Sequence, residues 1–210
     1  MKWFGHASFM LTSGKVKIFV DPFRIESAAD RADVIFITHP HFDHMSEDDI
    51  EKVASENTTF VAPLEAAQKL SYKKIIAVMP GDRKSVLGID FEVIRSYNIG
   101  KEFHKKSSNW VGYIIIANGK RIYFPGDTDL TEEMKDLDVD LALLPCGGKF
   151  TMNIDDAIKA SKVIRAKHFA PIHYKALLGV DGSRKLEERF RREVKNSIIL
   201  EEVQEPYYSF

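Results

Sequence analysis

Cysteine is almost missing from this chain. Cys146 is the one thiol in 210 residues, so no internal disulfide can close, and the composition fits a reducing, cytoplasmic compartment. An excess of one charge is missing as well. Thirty basic against thirty-one acidic side chains leave a formal net charge of -1. That balance lacks the clustered basic surface that wrapping nucleic acid demands, so nucleic acid is not an expected partner. Apolar runs are short. Ile114-Ile115-Ile116-Ala117 falls far below the roughly 20 residues of a membrane-spanning helix, and no membrane is expected. The N-terminus reads Met1-Lys2-Trp3-Phe4-Gly5-His6, without a charged-then-apolar leader. Glutamine is confined to Gln68 and Gln204 beside abundant Lys and Glu, which leans toward a heat-adapted protein. Repeats, low-complexity tracts and Pro/Gly/Ser-rich linkers are absent too. What remains, 44% hydrophobic and 29% charged, is a globular composition. Its length suits one domain over residues 1–210.

Apolar or alternating stretches bounded by polar breaks predict strands at 7–11, 16–20, 34–38, 59–62, 75–78, 91–96, 111–117, 121–124, 140–144, 168–171 and 197–200. Asn118-Gly119 joins two of them as a two-residue hairpin, because both positions accept positive φ. Ser46-Glu47-Asp48-Asp49 reads as the capped start of a helix to residue 54, and Pro63 opens another through residue 70. Asn153 caps a third helix to residue 165, and a highly charged helix fills 183–194. Strand clusters followed by helices in both halves predict a layered α/β protein with helices outside two packed sheets.

The chemistry concentrates in Thr38-His39-Pro40-His41-Phe42-Asp43-His44. In an extended segment His39 and His41 share a side, and the following turn brings Asp43 and His44 to a second point. Imidazoles with a carboxylate suit zinc, manganese or iron, and the split spacing suits two adjacent ions. The bland alternative is a solvated histidine-rich loop.

His39-x-His41-x-Asp43-His44 resembles the signature of the metallo-β-lactamase superfamily. Further stretches resemble its other motifs in order: Val20-Asp21-Pro22, Phe124-Pro125-Gly126-Asp127-Thr128 and Pro171-Ile172-His173-Tyr174. The resemblance implies an αββα sandwich of two mixed β-sheets with helices on the outer faces, and two divalent ions between the sheets, zinc or manganese first, iron also compatible. It places His39, His41 and His104 on one ion, Asp43, His44 and His173 on the other, and Asp127 between them. It makes Asp21 a hydrogen-bonding support of the metal loop rather than a ligand. For each, an ordinary reading stands beside this one: a surface histidine at 104, turn chemistry at Asp127 and Asp21, a buried core histidine at 173.

Trp3-Phe4-Gly5-His6-Ala7-Ser8-Phe9 and Gly147-Gly148-Lys149-Phe150-Thr151-Met152 are similar to a branch containing ascorbate-6-phosphate lactonase and the phospholipase-D-type hydrolases of N-acyl phosphatidylethanolamine. There His6 would lie near the metals and hold a substrate anion; a core histidine bonded to backbone is its alternative. Lys175 would supply a cation to an anionic substrate or face solvent. Cys146 reads as a buried core thiol, and His168 as structural.

The implied reaction is hydrolysis of an ester, lactone or phosphodiester by a hydroxide generated at the two ions, with Asp43, Asp127 and His6 as catalytic groups. Lys101, Lys105 and Lys106 around His104 favour a small anionic or phosphorylated substrate. Competing readings are a phosphodiesterase or nuclease of the superfamily, and a non-catalytic metal-binding or regulatory domain on the same scaffold. A nuclease would carry an added RNA-gripping arm, a glyoxalase-II-type thiolesterase an added helical domain, and a secreted antibiotic hydrolase a signal segment. A homo-oligomer is compatible with the chain.

Overall fold

A computed structural model describes residues 1–26 and 30–203. Among these, the strands form two six-stranded sheets. The first runs in spatial order β1 (Lys2–Trp3), β2 (Phe9–Ser13), β3 (Val16–Val20), β4 (Val34–Phe36), β5 (Thr59–Pro63) and β6 (Ile75–Val78). β1 to β3 pair antiparallel, and β3 to β6 pair parallel. The second comprises β7 (Arg83–Val86), β8 (Ile89–Arg95), β9 (Val111–Ala117), β10 (Lys120–Phe124), β11 (Asp138–Pro145) and β12 (Arg165–Ile172), adjacent in that order. Its β7 to β10 pair antiparallel, and β10 to β12 parallel. Both sheets are therefore mixed.

Side-chain alternation explains the layers. In β3 and β4, Ile18, Val20, Val34 and Phe36 face the space between the sheets, while Phe19 and Ile35 face outward. Phe36 meets Phe91 and Tyr113 of the second sheet edge-on at 5.1 and 5.0 Å. On the outer face of the first sheet, α1 (Glu47–Val53) buries Ile50 and Val53, and α2 (Leu64–Ala67) buries Ala66. α3 (Ile154–Val163) and α4 (Lys175–Glu193) cover the second sheet through Ala157, Ile158, Leu186 and Phe190. The arrangement is the expected αββα sandwich.

Local signals landed closely where capping or turn chemistry is explicit. Ser46 caps α1 through Asp49 N, and Asn153 caps α3 through Asp156 N. Asn118 and Gly119 take φ of 50° and 73° between β9 and β10. Elsewhere the structure departs from expectation. Residues 5–8 form a turn, with Ser8 N bonded to Gly5 O, so β2 begins at Phe9 rather than residue 7. β7 escapes sequence reading because Arg83, Lys84 and Ser85 are exposed and polar on an edge strand. Residues 197–200 make only one bridge, Ser197 to Phe169, not a strand. α2 stops at Ala67, and α4 begins at Lys175, interrupted where Gly179 takes φ 65° and ψ -175°. Among the described residues no helix is long and apolar enough to cross a membrane.

Candidate metal centre

Strand ends of both sheets converge at one edge of the sandwich. β3 runs into Asp21, β4 into 38–44, β8 into the loop carrying His104, β10 into Asp127 and β12 into His173. Six of the seven histidines meet there. The donor atoms of His39, His41 and His104 lie within 4.8 Å of one another, as do those of His6, Asp43, His44 and His173, and those of His39, His44 and Asp127. Asp127 reaches toward both of the first two groups. Its Oδ1 is 3.2 Å from His44 Nε2 and 3.1 Å from His173 Nε2, and its Oδ2 is 3.4 Å from His104 Nε2.

Several of these atoms are buried without a hydrogen-bond partner: His44 Nε2, His173 Nδ1 and Nε2, and Asp127 Oδ1. Orphaned buried polar atoms are costly unless something compensates them, and a divalent cation between imidazole and carboxylate does so. His39 Nε2 and His104 Nε2 face each other at 3.2 Å, an arrangement that also suits a shared cation. The residues present fit metal.

Asp21 organises the approach. Its Oδ1 accepts from Thr38 N at 2.8 Å, and its Oδ2 accepts from Thr38 Oγ1 and from His44 Nδ1, each at 2.7 Å. Thr38 Oγ1, having donated to Asp21, accepts from His39 Nδ1 at 2.9 Å. With Nδ1 protonated, the Nε2 lone pair of His39 points at the centre, and the same bond from His44 Nδ1 to Asp21 turns His44 Nε2 toward it. Thr38 was overlooked as a site residue, although it opens the histidine motif. His6 Nε2 donates to Asp43 Oδ2 at 2.9 Å, and its ring lies tilted by 40° against His173 with centroids 3.5 Å apart. It thus joins the cluster.

Burial keeps His39 and His41 below the usual histidine range and holds His104 and His173 at about 4, so these imidazoles stand neutral and ready to donate electron pairs. His44 goes the other way: burial is outweighed by Asp127 and Asp21, which raise it. Burial likewise acts against the ionised form of Asp127, and His173 and His44 overcome it, keeping the carboxyl well below its ordinary value. At Asp43 the His6 hydrogen bond and the charge of His44 override burial and set the carboxyl at about 2. Asp21 is raised by burial despite His44 and Thr38. Backbone strain gathers here too. His6, Asp21, His104 and His173 all take positive φ, between 46° and 58°, a conformation that costs non-glycine residues on the order of 1 kcal/mol each.

The family profile of a beta-lactamase superfamily domain matches residues 1–173. The chain belongs to the β-lactamase superfamily. Within it, the chain is 30% identical to a UPF0173 metal-dependent hydrolase of Alkaliphilus metalliredigens, covering 95% of this chain and 94% of that one. It is 34% identical to another UPF0173 metal-dependent hydrolase from Pyrobaculum aerophilum, covering 83% of each. A solved structure from Parabacteroides distasonis, described as a candidate metal-dependent hydrolase, superposes with a TM-score of 0.83 at 30% identity, covering 96% and 92%. A metallo-β-lactamase fold protein of Bacillus subtilis shares the fold at TM-score 0.72 and 16% identity, covering 94% and 89%.

Other residues of this superfamily member lie outside the donor groups. Lys175 sits with Nζ 4.9 Å over the Trp3 ring, outside the three donor groups. Lys101 is paired with Asp129 and the Thr151 carbonyl, and Lys106 with Tyr97 Oη and Glu133, so two of the three loop lysines are engaged elsewhere. Cys146 is buried, its thiol pushed up by that burial and donating to Ile172 O. His168 is exposed on β12. Sequence reading missed Trp110, whose indole lies 5.0, 4.8 and 5.2 Å from the rings of His39, His41 and His104. Its Nε1 donates to Glu65 Oε2 at 2.9 Å. No pattern in the sequence links positions 65 and 110.

Proposed function

We propose that this metal-dependent hydrolase holds two divalent ions, zinc or manganese, and cleaves an ester, lactone or phosphodiester. His39, His41 and His104 would hold one, Asp43, His44 and His173 the other, and Asp127 would lie between. The observation that carries this is the set of buried, unpartnered atoms around Asp127 Oδ1, which a divalent cation would compensate. When bound, such metals acidify water toward neutral pH and stabilise negative charge developing on a substrate oxygen.

The residues divide the remaining work. Asp21 and Thr38 keep His39 and His44 in the donor-ready tautomer. Asp43, held by the His6 hydrogen bond beside His44 and His173, would bind metal and aim the attacking oxygen. His6 fixes the Asp43 carboxylate from the side. Cys146 and His168 take no part.

The test is reconstitution with Zn²⁺ or Mn²⁺, metal analysis, and parallel rates on a chromogenic ester, a chromogenic phosphodiester and a sugar-phosphate lactone, with Asp127→Asn as the blank. About two ions per chain and a rate loss of 100-fold or more in Asp127→Asn are expected. Wild-type metal content and rate in that variant would sink the proposal. Faster lactone opening would favour a lactonase; faster phosphodiester cleavage would favour the phospholipase-D-like alternative.

A further inference from the structure

The rim of the centre is apolar. Phe42, between His41 and Asp43, is 76% exposed; Phe103, immediately before His104, 46%; Ile99, on the same loop, 60%; and Leu177, four residues after His173, 40%. Scattered exposed apolar residues are normal on a soluble surface, but here each neighbours a donor of the same centre. They stand on two loops and the first turn of α4, each within five residues of a metal-site donor. They also pair. Phe42 meets Phe23 edge-on at 6.1 Å, and Phe23 lies 5.5 Å from the His6 ring. Phe103 meets Phe150 edge-on at 5.4 Å, and the Phe150 carbonyl accepts from Asn98, which abuts His104. Leu177 presses against Gly147, where a Cβ would collide with it and with the His173 carbonyl. This glycine lets the third wall approach.

Several of the cations nearby have partners of their own. Lys101, Lys106 and Lys175 have the partners given above, while Arg24 sits over the Phe23 ring and Lys149 over the Phe150 ring. Exposed Lys105 is what this loop has left for an anion.

We infer, resting on the hydrolase reading above, that the substrate carries an apolar group, an acyl chain or aryl ring, on its scissile bond, and that Phe42, Phe23, Phe103, Phe150, Ile99 and Leu177 receive it. For an acyl ester, water adds across the acyl C–O bond, the acyl carbon taking the hydroxyl and the alcohol oxygen the proton. The products are a carboxylic acid with an apolar tail and an alcohol.

Binding separates this inference from turnover. Acetohydroxamate and octanohydroxamate share a metal-chelating head and differ only in the tail, so calorimetry on the metal-loaded protein reads the rim directly. Octanohydroxamate should bind about tenfold more tightly or better, since partial burial of added methylenes is favourable. Phe42→Ser, on a side chain too exposed to be needed for folding, should cut that ratio at least about threefold. Met79→Ser, exposed in a separate groove beside Leu64 and Lys84, should leave it unchanged. Equal affinities for the two hydroxamates, or a ratio untouched by Phe42→Ser, would overturn the inference whatever the enzyme hydrolyses. A tail preference with no hydrolysis of p-nitrophenyl acetate or octanoate would support the apolar rim and overturn the ester arm of the proposed reaction instead.

Discussion

Asp21 shows how much one carboxylate can organise. It accepts from a backbone amide, a hydroxyl and an imidazole, all buried. Asp21→Ala would strand Thr38 N and free His44 to turn, so metal affinity measured by competition with a chelator should fall about 10- to 100-fold. Stability should fall as well, by about 3 kcal/mol in denaturant titrations, because a buried charge partner is lost. Asp49 does a comparable task away from the candidate metal centre. Its carboxylate accepts from the amides of Arg24 and Ile25, from Ser46 Oγ and from Lys52 Nζ. Burial acts against its charge, but Lys52 and Ser46 win and depress its value. A depressed carboxyl stabilises the fold fully above its unfolded value and loses that contribution as pH falls through the folded one. Asp49→Asn should therefore cost about 1–3 kcal/mol near neutral pH. The gap from wild type in denaturant midpoint should shrink toward pH 3.

At the scale of elements, what could be read from sequence was what short-range chemistry decides. The Ser46 and Asn153 caps and the Asn118-Gly119 turn each act within four residues, and each appears where expected. The polar edge strand β7 and the break at Gly179 depend on neighbours distant in the chain, and their residues carry no periodic signal. The same holds for the wall behind the first histidine group. Glu65 on α2 reaches Trp110 at the start of β9, and that indole backs His39, His41 and His104. Trp110→Leu should lower metal occupancy at the three-histidine group more than at the other. With Co²⁺ substituted, this would appear as a selective change in one component of the visible spectrum. Glu65→Gln, which still accepts from the indole N–H, should retain the wild-type spectrum; equal loss at both groups would show Trp110 to be only a core residue.

Across the whole molecule, the two sheets meet at a cluster of six histidines and three carboxylates, counting Asp21, with orphaned atoms at its middle. Metal that binds the folded chain alone stabilises it by about 3–4 kcal/mol at concentrations 100- to 1,000-fold above Kd. For a domain of this size that corresponds to about 10 °C in Tm. Calorimetry with and without chelator should show this shift in the wild type and little of it in Asp127→Asn. A wild-type Tm indifferent to chelator would contradict a metal held at the centre.

The residues alone determined the class of fold, the capped helices, the hairpin and the donor types, because hydrophobic alternation, cap chemistry and the His39-x-His41-x-Asp43-His44 spacing are local properties of the chain. Tertiary structure decided what those donors face. Sheet pairing brings His6, His104, Asp127 and His173 to the histidine loop from positions up to 167 residues apart. It sets Trp110 behind the imidazoles, draws the lysines into partners and turns Phe42 and Phe103 outward. Such neighbours follow from how whole sheets pack, and packing leaves no short-range mark in sequence.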